Sequence, residues 1–164
     1  MPGQVPHYKS GPSNYQVATL IFAGQFVQTN TATAGTTDYT VKVALSGSVT
    51  TLGVAGNDAN VVAAQTGAAD AYGQPAIDIS VLTDYCSVYY GGVDTWVWYV
   101  GPATVGQKLI IGATQGAVTA ESSSTADLLV GVCTHPGGVA GGMLTQAIGG
   151  LGSAVYFLGR ARVF

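Results

Sequence analysis

The sequence predicts an all-β protein, either a sandwich or a small barrel, and three observations carry that prediction. From residue 17 onward, short apolar runs alternate with polar residues at a period of two. Nearly every run is bounded by Gly, Pro, Asp or Asn, as strands between tight turns are. One aliphatic phrase is also written twice, as "SVTTLGVAGNDAN" at 48–60 and as "ADLLVGVCTHPGGVAGG" at 126–142. The organisation expected is an extended arm over residues 1–15 followed by a single β-rich domain over 16–164. The repeat suggests two related β units within it, with at most one short helix.

Taken in order, the arm comes first. Pro2, Pro6 and Pro12 with Gly3 and Gly11 oppose a helix, and the prolines cannot donate to a central sheet ladder. Tyr8 and Tyr15 accompany Pro6 and Lys9 there, so the segment reads either as a plain terminus or as an arm that orders on a partner surface. "YQVATLIFAGQFVQTN" is too β-branched and interrupted for a helix. "YTVKVALSG" alternates, with Val41, Val43 and Leu45 on one face and Lys42 on the other. "NDANVVAAQTGAADAY" is the one candidate helix, with Asn57 or Asp58 as its cap and Gly67 as its stop. "PAIDISVL", "YCSVYY", "TWVWYV", "QKLIIGA", "GAVTAE", "DLLVGVC" and "AVYFLGRARVF" then read as strands.

The repeated phrase sets Gly53 and Gly131 78 residues apart. Each half reads strand, turn, strand ending at Gly-Val, loop, strand. Small residues at those strand ends would let backbones approach closely.

Composition bounds the function. Hydrophobic residues make up 48% of the 164 residues and charged residues only 8%, so apolar and small polar groups must cover the surface. Such a surface suits a protein docked against something. With a net charge of −3 and five scattered basic residues, no basic stripe for a phosphate backbone is expected. No apolar run is long enough for a membrane-spanning helix, and no signal-peptide core is present at the N-terminus. Cys86 and Cys133 lie in apolar runs and read as buried, reduced thiols.

No catalytic constellation is legible, so no enzymatic activity, metal or cofactor is expected. Cys133 and His135 are two residues apart, but no orienting Asn or Asp is near them in sequence, and His135 reads as an exposed turn residue before Pro136. The carboxylates stand singly at strand edges, and "GGVAGG" lacks the Lys-Ser/Thr of a phosphate loop. Trp96 and Trp98 should share one strand face, with Val97 and Tyr99 on the other. The pair reads as core anchor, oligomer contact or ligand platform. Arg160 and Arg162 should share a face, either solvated or set against an acidic partner, with Ala161 and Val163 inward.

Three stretches, "VKVALSGSVTTLGVAGNDA", "GQKLIIGATQGAVTAESSSTADLLVGVC" and "GSAVYFLGRARVF", resemble the head-decoration, or capsid cement, proteins of tailed bacteriophages. The resemblance covers most of 30–164 and consists of short phrases. It implies a β-rich, trimeric, non-enzymatic protein on the virion exterior, made in the host cytoplasm and bound to the major capsid protein at three-fold positions. It also implies a capsid-binding arm, for which Pro6, Tyr8, Lys9 and Tyr15 are the candidates. Trp96 and Trp98 have no place in that pattern. With Arg160 and Arg162 they are the candidate oligomer or partner contacts. The competing expectations are a tail-associated or adhesin-like module that stacks a glycan on the tryptophans, and another phage structural subunit such as a tail-tube protein.

Overall fold

A computed structural model describes residues 12–30, 40–60, 83–113, 116–122, 128–140 and 157–164. Ten strands lie in these segments: β1 (Ser13–Val17), β2 (Phe26–Thr29), β3 (Thr40–Val43), β4 (Thr51–Ala55), β5 (Tyr85–Tyr89), β6 (Asp94–Tyr99), β7 (Lys108–Ile111), β8 (Val118–Ala120), β9 (Leu129–Cys133) and β10 (Phe157–Val163). No α-helix occurs among the described residues. The expected helix falls mostly on residues 61–72 and the expected strand "PAIDISVL" on 75–82, both outside the described residues. Asn57 and Asp58, expected as helix caps, act otherwise: Asn57 Oδ1 accepts the Ser87 N–H and Asp58 Oδ1 the Ala23 N–H.

The strands form two five-stranded sheets, each closed on itself, in the orders β1-β3-β2-β4-β5 and β10-β6-β8-β7-β9. The two barrels have one topology. The first strand of each pairs parallel with the third and antiparallel with the fifth; the second pairs antiparallel with the third and fourth; and the fourth pairs with the fifth. Register is repeated as well. Val27 stands opposite Gly53 as Leu109 does opposite Gly131, and the ladder slips one residue further along in both barrels. Ala55 pairs with Val88 as Cys133 does with Ala161. The bridge Ile21–Ala59 recurs as Ala103–Val139. The related β units expected from the twice-written phrase are these barrels, with Gly53 and Gly131 at the same position.

Both glycines are required by close approach. A Cβ on Gly53 would stand 2.0 Å from the Tyr89 carbonyl oxygen, and one on Gly131 2.6 Å from that of Arg162. Tyr89 and Arg162 are themselves equivalent residues of β5 and β10.

A second repeated device leads into β2 and β7. Gly24 (φ 85°) and Gly106 (φ 82°) supply the left-handed backbone of a tight turn. The next residue locks it from both sides. Gln25 N–H donates to the Phe22 carbonyl while its Oε1 accepts the Phe22 N–H at 2.8 Å. Gln107 does the same with Thr104, at 3.0 Å.

Each barrel is filled mainly by its own apolar residues. Val17, Ile21, Val27, Val41, Cys86 and Val88 fill the first; Val97, Tyr99, Leu109, Val118, Cys133 and Ala161 fill the second. Phe26, Ala44 and Val54 of the first barrel pack into the second barrel's cluster, so that cluster extends across the junction. Leu45 departs from the alternation. The strand ends at Val43, the Ala44 N–H turns to the Phe26 carbonyl, and Leu45 is left exposed in the β3–β4 turn.

Candidate interaction face

The antiparallel pair β6–β10 carries the candidate residues. Asp94, Trp96 and Trp98 alternate along β6, opposite Arg162, Arg160 and Leu158 on β10. Each pair shares the outer face, while Val97, Tyr99, Ala161 and Val163 point into the barrel. The alternation expected for both strands is therefore present.

The two tryptophans nevertheless part company. Trp98 is 8% exposed because the first barrel's turn lies on it. Its indole Nε1 donates to the Ala23 carbonyl at 2.7 Å and its backbone N–H to the Gly24 carbonyl. A Cβ on Gly24 would come within 3.1 Å of that indole nitrogen, so a small residue is needed there. This corrects the reading of Trp98 as a partner contact: it is a contact between the two barrels of one chain. Trp96, one period back, clears the junction and is 50% exposed.

Trp96 forms one wall of a cleft of about 520 Å³ between the barrels, with Tyr89, Gly56 and Ala23 opposite and Val93 and Asp94 at the second barrel's side. That volume lies in the range of small-molecule and side-chain-binding clefts. Behind Trp96, the His135 ring packs edge-on with centroids 5.9 Å apart. His135 is therefore buried, contrary to the expected exposed turn residue. Gly137 and Gly138 (φ 80° and 78°) close a turn in which the Gly138 N–H bonds the His135 carbonyl, and this folds the ring back under Trp96. Its Nδ1 has no hydrogen-bond partner among the described residues.

Arg160 and Arg162 are exposed on one face, as the alternation requires. Arg162 has its carboxylate within the chain: Nη2 donates to Asp94 Oδ2 at 2.9 Å, and Thr134 donates to the other Asp94 oxygen. The hydrogen bond from Arg162, more than its charge, holds the Asp94 carboxyl below its ordinary range. Arg160, opposite Trp96, is the cation presented beside the exposed indole.

Of the arm candidates, Pro6, Tyr8 and Lys9 lie outside the described residues. Tyr15 does not belong to an arm. It stands in β1 opposite Cys86, its hydroxyl hydrogen-bonds the Tyr90 hydroxyl, and the two rings meet edge-on at 6.4 Å. The Tyr90 bond, aided by desolvation, pushes the Tyr15 phenol up to about 12. The sheet captures the chain from Ser13, because the first strand closes a barrel and is paired on both sides.

Cys86 and Cys133 are free, buried thiols in the cores of different barrels. Burial pushes the Cys86 thiol up, which makes it a poor nucleophile. Sequence reasoning missed Tyr89, Gly56 and the Ala23–Gly24 turn as parts of this site. The signal available was the parallel of "AGQF" with "VGQK", which marks the same turn in both halves.

No protein-family model matches the chain, and no curated protein matches it significantly.

Proposed function

We propose that the chain is a decoration, or cement, protein of a tailed bacteriophage. On this reading it is a structural subunit without enzymatic activity, made in the host cytoplasm. It docks as a trimer on the outside of the expanded capsid and clamps neighbouring major capsid subunits at three-fold positions. The observation that carries the reading is an apolar surface on a chain with few charges. Trp96, Val49 at 76% and Phe164 at 59% are exposed on a protein whose charged share is 8%. Exposed apolar side chains on so charge-poor a surface favour docking over free solution, because few charges keep the desolvation cost of docking low. The quoted phrases lend further support, because "GQKL", "LGVA" and "VGVC" fall on the turn and the strand-end glycines that build each barrel.

Three arms on one trimer would make release require three simultaneous dissociations. The test is co-sedimentation with expanded shells. Because β1 begins at Ser13, removal of residues 2–11 spares every described strand. That variant should stay folded and lose shell binding by roughly 100-fold, the scale of avidity. Binding unchanged from wild type would remove the arm from the account.

A second reading is favoured by the cleft alone: an adhesin-like module that stacks a sugar ring on Trp96, with Tyr89 opposite. A saturable fluorescence quench with a glycan, lost in Trp96→Phe, would select it over the cement reading.

A further inference from the structure

The junction between the barrels joins unlike surfaces. On the first barrel it uses the turn at Ala23–Gly24 with Phe26 and Ala44. On the second it uses the outer β6–β10 face at Trp98 and Leu158, together with Gly116. Trp98 donates to the Ala23 carbonyl, the Phe26 N–H donates to the Gly116 carbonyl at 2.8 Å, and the Gly116 N–H donates to the Ala44 carbonyl. A contact between unlike faces of two equivalent units is heterologous, so it uses one copy of each face and leaves the other copy over.

The shared register says where the unused copies lie. The turn face recurs on the second barrel at Val105–Gly106, with Lys108 and Glu121 in the places of Phe26 and Ala44. The strand face recurs on the first barrel at Gln16 and Tyr85, in the places of Trp98 and Leu158. No described part of the single chain packs on Val105 or Tyr85 as the junction packs on Ala23 and Leu158. Val105 is 59% and Tyr85 53% exposed, and a Cβ on Gly106 would meet nothing within 4 Å.

We propose that these two faces bind each other between copies of the chain: the Val105–Gly106 turn of one copy seats on the β1–β5 face of the next, repeating the junction inside each chain. The chemistry fits the repeat. The side-chain amide of Gln16 gives one N–H to Asp84 Oδ2 at 3.4 Å and has a second where Trp98 offers its indole N–H, so it can donate to the Val105 carbonyl as Trp98 does to that of Ala23. Tyr85 offers an apolar ring to Val105. The replacement of Phe26 and Trp98 by Lys108 and Gln16 makes the outer contact more polar than the inner one. A face that meets water before assembly needs that polarity, and non-obligate interfaces are on the whole no more apolar than other surface.

A heterologous contact either closes into a ring or runs on as a filament. The inference deepens the cement reading and rests on it for closure into a ring; the surfaces themselves follow from the repeat. The test is a disulfide trap in the full chain, Gln16→Cys with Val105→Cys, oxidised in concentrated solution and on decorated shells. The expected product is inter-chain disulfides that end at one closed species, formed at least tenfold faster than in a control pair, Gln16→Cys with Val49→Cys. In the wild-type background, Val105→Glu should abolish self-association and leave thermal unfolding unchanged. Failure to link faster than the control in either setting overturns the proposal, as does a Val105→Glu variant that still associates. Shell binding by a chain that never links would overturn this contact and leave the cement reading standing; a linked ring that ignores shells would do the reverse.

Discussion

Gly53 and Gly131 show how one atom fixes the path of a strand. Each lies where the fifth strand of its barrel crosses so closely that a single methyl group would enter the carbonyl of Tyr89 or Arg162. Either the strand moves or the barrel opens, and overpacking of this kind costs about 1–3 kcal/mol or more. Gly131→Ala is therefore expected to lose about 2 kcal/mol in urea denaturation, and Gly53→Ala more, its clash being the closer one. A loss under 0.5 kcal/mol for both would mean that the strands do not approach as described. These positions were legible because a doubled phrase containing glycine in an aliphatic strand has few causes other than close backbone approach. Trp98 was not legible in the same way. Alternation puts Trp96 and Trp98 on one face, but nothing in a period of two tells which of them another barrel will cover.

The two barrels also solve one packing problem differently with matched elements. Around one interior point the first barrel places Val17, Cys86, Ile21 and Ala59, and the second places Tyr99, Gly159, Ala103 and Val139 at the equivalent positions. Large and small have traded places. The Tyr99 ring lies over Gly159, where a Cβ would fall 2.9 Å from the ring and 2.5 Å from Val139, and its hydroxyl reaches the Arg160 carbonyl. Interiors packed to near-crystalline density make such exchanges obligatory rather than optional. Gly159→Ala should therefore cost about 2 kcal/mol alone and at least about 1 kcal/mol less in a Tyr99→Val background, a coupling of the size found between touching residues. Additive costs in that double-mutant cycle would mean that the two positions do not compete for space. The strand pattern predicted these elements, yet this trade was hidden, because the exchanged residues are far apart in sequence and meet only through barrel closure. The same holds for the Gly-Gln turns, whose four-residue likeness is short enough to pass unnoticed until register aligns them.

At the scale of the molecule, a fold duplicated in tandem and joined through unlike faces has polarity: one end presents Val105 and Lys108, the other Gln16 and Tyr85. A polar unit with a charge-poor, partly apolar outer surface suits assembly into a ring on a larger body, and this links the barrel junction to the proposed cement role. The all-β class, the repeat and the outward arginines could be read from the chain. The closure of each sheet and the covering of Trp98 could not, since both depend on pairings between distant strands. The most direct measurement is a density map of decorated, expanded shells. The account predicts a ring at each three-fold position in which first and second barrels alternate, with the Val105 turn of each chain against Tyr85 of the next. Chains lying singly on the shell, or shells left bare by a folded protein, would contradict it.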